Sequence, residues 1–251
     1  SQPKYVGMAN YVEVLHDPNF RGALLRQLGF TLGILLIEFP LGLLIAMAIP
    51  RRGALASLCL VLLGIPLLIP FNVVGIVWRL FTQSEIGVIP RVLDVFGYEY
   101  NVSLDSFDAV ATLVMLDVWH WTPLVALLCY AGLQAIPDAY YQAASIDGAS
   151  TWNTFRFVTL PKLRSVLVIG VLLRFMDSFS IYSEPLLLTG GGPGNATTFL
   201  SLFVARKAES YELGYAGAVS VLYLYIVIVL SYFFFQAMTN DREGATQEKG
   251  S

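Results

Sequence analysis

Between Arg52 and Arg79, and again between Glu212 and Asp241, the chain carries no charged side chain at all. A helix needs about 20 apolar residues to cross the hydrocarbon core of a bilayer, and both stretches are long enough. Three more apolar stretches join them, each with a few polar residues inside. The stretch 30–49 holds one acid, Glu38; 109–133 holds Asp117 and His120; 166–188 holds Arg174, Asp177 and Glu184. With 54–80 and 213–238 they make five expected spans. The expected fold class is all-α: a polytopic membrane helix bundle. Composition agrees, with hydrophobic residues at 56%, charged residues at 13% and mean hydropathy +0.66, where a soluble domain has about 25% charged residues to cover its surface. Pro66 and Pro70 lie inside the second span and Pro123 inside the third. Each removes a backbone donor and crowds the preceding turn, so kinks are expected there.

The remaining segments are short, and none holds a soluble catalytic domain. Residues 1–29 read as an amphipathic segment on the outer face, 30–240 as the membrane domain and 241–251 as a cytoplasmic tail. The loop Pro50-Arg51-Arg52-Gly53 is basic, as is the end of the segment after the third span, with Arg156, Lys162 and Arg164. The loop 82–108 is acidic, with Glu85, Asp94, Glu99, Asp105 and Asp108 against Arg91. Basic residues are retained on the cytoplasmic side, so the C-terminal tail is placed inside; Lys4, Arg21, Arg26, Arg206 and Lys207 oppose that vote. Cys59 and Cys129 lie in apolar runs without metal-ligand spacing and read as small core residues. No basic run points to nucleic acid.

Ionisable groups inside a span are costly, about 2.5–3.5 kcal/mol at the bilayer centre on insertion scales, so they face the bundle interior. Arg174, Asp177 and Ser178 share one face of the fourth span, and Ile181 and Glu184 continue it. Two readings stand: a structural Arg174–Asp177 ion pair, or a stripe lining a solute pathway. Asp117 and His120 are one helical turn apart, the spacing of a relay or a metal pair, but no further ligands cluster with them. No metal site or catalytic residue is expected. The run Gly190-Gly191-Gly192-Pro193-Gly194 lacks the Lys-Ser or Lys-Thr of a phosphate-binding loop. It reads either as a flexible exterior loop or as a defined turn.

The segment 134–165 has helical punctuation of its own. Pro137 and Asp138 suit a helix start; Asp147-Gly148 stops that helix, Gly148 accepting a left-handed cap conformation. Ser150 or Thr151 caps a second helix through Trp152 and Phe155, which Leu160-Pro161 is expected to end. Tyr141-Gln142-Ala143-Ala144-Ser145-Ile146-Asp147-Gly148-Ala149, followed by Phe155, Val158, Leu160 and Pro161, closely resembles the EAA loop of ABC importer permeases. Leu188-Thr189-Gly190-Gly191-Gly192-Pro193-Gly194 resembles a segment of the carbohydrate-uptake branch, on the pattern of the larger permease subunit of maltose-type and polyol- or glycerol-type importers. Tyr5-Val6-Gly7-Met8-Ala9-Asn10-Tyr11 is similar to a segment that follows the first span in that branch. Members of the branch commonly have six or more spans, so a first span is expected to be missing ahead of Ser1.

The resemblance implies a function and its residues. Tyr141, Gln142, Ala143, Ala144, Asp147, Gly148 and Ala149 would form the coupling helix that docks on an ATPase subunit. Gln142 stands where the family usually has Glu, so that contact keeps a hydrogen bond but not a charge. By the same resemblance Arg174, Asp177, Ser178 and Ile181, with His120, Trp121 and Leu124, fall on solute-contact positions. The implied partners are a second homologous permease subunit, two ATP-binding subunits, a soluble or lipid-anchored solute-binding protein and membrane lipid. ATP and Mg would be bound by the partner ATPases, with no cofactor in this chain, and the implied location is the bacterial inner membrane. The expected function is transport of a sugar, polyol or related small solute by alternating access. An ion-gradient-driven secondary transporter using Asp117, His120, Arg174 and Asp177 as relay groups remains the alternative.

Overall fold

The computed structural model describes residues 6–247; what was expected of Ser1 to Tyr5 and of the last residues of the tail lies outside them. Among the described residues every regular element is helical. They are α1 (Ala9–His16), α2 (Pro18–Ala48), α3 (Ala54–Leu67), α4 (Phe71–Thr82), α5 (Val88–Asp94), α6 (Ser106–Gln134), α7 (Asp138–Ile146), α8 (Thr151–Thr154), α9 (Leu160–Ser178), α10 (Ser183–Thr189), α11 (Leu200–Glu209) and α12 (Leu213–Gln247). Three helices are long and apolar enough to cross a bilayer unaided: α2, α6 and the Leu213–Phe233 part of α12. The count reaches five if α3 with α4, and Thr151–Ser178 with α10, each make one broken span.

The helix starts follow local chemistry. Asp17 Oδ1 accepts the Asn19 backbone N–H at 2.8 Å and Pro18 opens α2, an N-cap followed by a residue whose missing N–H costs nothing in the first turn. The helix therefore begins well before Phe30, and takes in the second half of the segment expected to lie on the outer face. Asp105 Oδ1 does the same for α6, accepting from Phe107 and Asp108 N–H at 2.7 and 3.0 Å. Along α2, Leu25, Leu32, Leu36 and Leu44 are exposed. Apolar exposure of that extent suits lipid and not water.

Two expected spans are interrupted. Between α3 and α4 the helix stops at residues 68–70, flanked by Pro66 and Pro70. Pro70 disfavours helical backbone at Ile69, and Leu68 and Ile69 N–H close onto Ile65 and Pro66 O at 3.1 and 3.2 Å. The fourth span breaks at residues 179–182. By contrast α6 continues through Pro123.

One expected stop is absent. Leu160-Pro161 does not end the second helix of the 134–165 segment: Thr151–Ser178 is one continuous helix. The turn Phe155–Thr159 is π-helical, and Leu160 N–H reaches back to Phe155 O. The extra residue in that turn widens the helix and leaves room for the Pro161 ring, which would otherwise crowd the carbonyl four residues back.

The chain divides into two compact units, one of residues 6–33, 71–116 and 175–247, the other of Ile34–Pro70 and Asp117–Arg174. In the first, α1 and α2 meet α11 and α12: Tyr215 Oη donates to Asp17 Oδ2 at 2.5 Å, and Phe30 meets Phe199 at 4.8 Å between ring centroids. The Gly-rich segment belongs to this unit and is a hydrogen-bonded turn. Thr198 Oγ1 donates to Gly191 O at 2.9 Å, Arg206 donates to Gly190 O and Thr198 Oγ1, and Arg26 Nε donates to Thr198 O at 3.2 Å.

The second unit has a core of Ala46, Val125 and Cys129, with Phe39, Leu43, Tyr130, Leu133 and Leu167 packed on it. Its helices approach closely at glycines. A Cβ on Gly42 would stand 2.7 Å from Val125 Cγ1, and one on Gly132 2.7 Å from Leu163 Cδ2. Close backbone approach at small residues supplies the dispersion contact that holds helices together where water gives no hydrophobic drive. Gly42→Val should therefore lower stability by about 1–3 kcal/mol through overpacking, while Gly29→Ala, which meets nothing within 4 Å, should be tolerated. Thermal unfolding of the two solubilised variants checks this.

Candidate functional site

Three helices of the second unit bring charge together in its interior. α2 supplies Glu38, α6 supplies Asp117, and α9 supplies Arg174 just before its last turn. Arg174 Nε donates to Glu38 Oε2 at 2.8 Å and Nη2 to Glu38 Oε1 at 2.9 Å, a two-pronged pair; Nη2 also donates to Asp117 Oδ2 at 2.5 Å. Relative exposures of Arg174, Glu38 and Asp117 are 1%, 0% and 3%. The planar fork of guanidinium matches a carboxylate in a way an ammonium cannot. Charges this deeply buried persist only when paired and hydrogen-bonded. The guanidinium also lies over the Trp121 ring, 4.5 Å from its centroid, and the His120 ring stands edge-on to Trp121 at 5.3 Å.

Sequence spacing alone assigns Glu38 no role. Its partner lies 136 residues away, beyond any local pattern. A signal was present nonetheless: Arg174 is the one Lys or Arg well inside any of the five expected spans, and an acid within a span calls for a partner. Asp117, read beside His120, takes its place on Arg174. No group of three or more metal-ligating side chains occurs among the described residues.

The other expected solute-contact residues divide. Trp121 and Leu124 are half-buried in the second unit, and His120 is buried there. Asp177, Ser178 and Ile181 fall in the first unit. There Ser178 Oγ donates to Phe175 O at 2.8 Å and shares a hydrogen bond with Thr31 Oγ1 at 2.9 Å, while its carbonyl accepts from Gln27 Nε2 at 2.9 Å. The Ile181 carbonyl accepts from Ser201 Oγ. Ser178 and Ile181 are buried by this packing and Asp177 is half-buried.

The second feature is an elbow. α7 ends in a Schellman turn: Ala149 N–H bonds Ala144 O at 2.9 Å and Gly148 N–H bonds Ser145 O at 3.1 Å, with Gly148 at φ +67°. Ser150 Oγ then caps α8 through Asn153 N–H at 3.2 Å. Gln142, Ala143, Asp147, Gly148 and Ala149 are exposed, Tyr141 is half-buried and Ala144 is buried. The basic loop between α2 and α3 braces the elbow. Arg51 pairs with Asp138 and its guanidinium covers the Tyr141 ring at 4.8 Å; Gln134 Nε2 donates to Arg51 O at 2.7 Å and Tyr130 Oη to Pro50 O at 3.0 Å. Arg51 and the 134–138 segment thus lie at one end of the unit. A cavity of about 520 Å³ separates elbow and helices, lined in part by Arg51, Tyr130, Gln134, Tyr141, Gly148 and Phe155.

A multi-pass helical membrane protein with a buried, internally paired charge cluster and an exposed Gly-hinged elbow fits the class of transport-protein membrane subunits. Residues 38–243 match the family described as binding-protein-dependent transport system inner membrane component, and the chain belongs to that family. The trehalose/maltose transport system permease protein MalF of Thermococcus litoralis is 34% identical over 233 residues, covering 91% of this chain and 77% of that protein. The sulfoquinovosyl glycerol transport system permease protein SmoG of Agrobacterium fabrum is 31% identical over 229 residues, covering 87% and 72%. A crystal structure of a bacterial ABC transporter that imports the acidic polysaccharide alginate has a chain of the same fold, at TM-score 0.81 and 18% identity, covering 95% of this chain and 85% of that one. The chain is therefore a permease subunit of an ATP-driven importer, a transport subunit and not an enzyme, with ATP hydrolysis carried by separate chains.

Arg174→Met takes the guanidinium away from two buried carboxylates, and should destabilise the solubilised protein by about 3–5 kcal/mol. The triple variant Glu38→Leu, Asp117→Leu, Arg174→Met removes the whole cluster and should recover most of that loss. Thermal unfolding of both variants beside the native chain is the measurement.

Proposed function

We propose that this chain forms part of the membrane pathway of an importer for a sugar, polyol or related small solute, in the inner membrane of a bacterial-type cell. Its partners are a second homologous permease subunit, two ATP-binding subunits and a solute-binding protein. The named solutes of its relatives support the solute class: trehalose or maltose, sulfoquinovosyl glycerol and arabinooligosaccharides. A solved structure in which the alginate transporter is complexed with its periplasmic protein supports the solute-binding partner.

The observation that carries the reading is the exposed elbow. Its α7 surface of Gln142, Ala143 and Asp147 is small and polar, which permits close approach by a partner helix or groove. We assign it the coupling role, with the ATPase subunits on the cytoplasmic side. That side is also where the basic Arg51-Arg52 loop belongs by the retention of positive charge, and Arg51 braces the elbow directly. Trp121 and Leu124 line the solute pathway in this assignment, with Arg174 and His120 behind Trp121. Alternating access follows when ATP-driven closure of the partners displaces the elbow and the helix continuous with it. An ion-driven carrier has no use for such an elbow.

Gly148→Val tests this. Valine at φ +67° is strained by about 1–2 kcal/mol, although no neighbouring atom lies within 4 Å of the new Cβ. The variant complex should assemble and hydrolyse ATP while losing most solute uptake in vesicles. Uptake at the native rate would remove the coupling role.

A further inference from the structure

The charge arithmetic behind Trp121 bears on which solutes pass it. Two carboxylates meet the one cation: Glu38 takes the Nε–Nη2 edge of Arg174 and Asp117 takes Nη2 again, with N···O distances of 2.5–2.9 Å. With both carboxylates ionised the cluster carries one surplus negative charge. With one protonated it is neutral. A proton on His120 only brings the fully ionised cluster to neutrality. In none of these states is a positive charge left over for an anion. The next ionisable residue along the same helix, Asp177, is again an acid. The other basic residues of this unit sit elsewhere. Arg51 pairs with Asp138, Lys162 lies over the Tyr140 ring, and Arg52, Arg156 and Arg164 are exposed beside the elbow segment or the loop that braces it.

A low-dielectric site recognises an anionic group by an uncompensated cation or by several aimed N–H groups, because the group gives up its water on entering. A neutral polyol or sugar needs less: an aromatic surface for its C–H faces and hydrogen-bonding edges for its hydroxyls. Trp121 offers the first. It is half-buried and held in place by Arg174 over its ring and by His120 edge-on to it. The carboxylates of the cluster, Glu38 at 0% and Asp117 at 3% exposure, are buried and leave it no net positive charge.

We infer that the solute this pathway accepts is electrically neutral, and that the Glu38–Arg174–Asp117 charge balance rejects carboxylated, sulfated and phosphorylated analogues. This rests on the proposed pathway past Trp121. Glu38 and Asp117 then act as specificity-determining residues without touching the solute: they cancel the one cation that would otherwise recruit an anion.

The test uses the assembled importer and follows the Trp121 fluorescence, taken as the difference from a Trp121→Phe complex. The neutral probes are trehalose, maltose and sorbitol; the anionic probes are a disaccharide uronic acid, glucose 6-sulfate and glycerol 3-phosphate. At least one neutral probe should perturb the signal, with every anionic probe weaker by about tenfold or more. The isosteric Asp117→Asn removes the surplus negative charge while keeping the Arg174–Glu38 pair, and should narrow that gap severalfold. An anionic probe binding as tightly as the best neutral one overturns the inference, as does a gap unmoved by Asp117→Asn. Silence of Trp121 towards all six probes would instead sink the pathway assignment, and the inference with it.

Discussion

Lipid cannot solvate a guanidinium, and the interior of the second unit is organised around that fact. Arg174 is 1% exposed and its charge is met wholly by protein, from α2 through Glu38 and from α6 through Asp117. One side chain therefore ties three helices at one level. An apolar contact tolerates sliding along the helix axis; a two-pronged carboxylate pair does not, because both prongs must align together. The gain is positional more than energetic, since a buried ion pair is often no more stable than a well-packed apolar replacement. Packing of small residues supplies the adhesion beside it, with Gly42 against Val125 and Gly132 against Leu163.

The spans were legible because their signal is additive over some twenty residues and needs no knowledge of partners. The breaks were only half legible. Pro66 and Pro70 marked the interruption after α3, yet Pro123 lies in a helix that continues, because a proline's missing bond can be absorbed by its surroundings. The same reasoning failed at Leu160-Pro161. There the accommodation is a π-helical turn immediately upstream, which sequence spacing does not announce. The fourth span breaks at residues 179–182, where Phe179-Ser180-Ile181-Tyr182 holds no Gly or Pro to mark a stop.

The elbow and the charge cluster differ in legibility for a physical reason. The elbow is built from contacts within a few residues: a Schellman turn at Gly148 and a serine cap at Ser150. Its punctuation is written in consecutive letters, and its resemblance to the EAA loop led to the family. The charge cluster is built from residues far apart in the chain. Arg174 and Asp177 are a natural pair on helical spacing, but spacing gives no hint of the bonds from the guanidinium to Glu38 and Asp117. Ser178 and Ile181, on the same helical stripe, are committed to packing with Thr31, Gln27 and Ser201. A shared helix face says which residues look the same way and not what they meet.

Continuity through Pro161 joins the two features mechanically. The outgoing arm of the elbow, Thr151, and the charge cluster at Arg174 belong to one helix. Had the helix ended at Leu160, a flexible joint would lie between them, and motion of the elbow would dissipate there. With the backbone ladder unbroken apart from its π-helical turn, a displacement at Gly148 reaches Arg174 along a rod that is stiff on the length scale of a span. The cluster then sets how that displacement is shared. Arg174 cannot leave Glu38 and Asp117 without stranding buried charge, so α2 and α6 are drawn along with α9. On this view the ion pairs that cancel the charge of the pathway also bind its wall into a single moving part. Under the proposed roles, coupling and selectivity draw on the same three side chains.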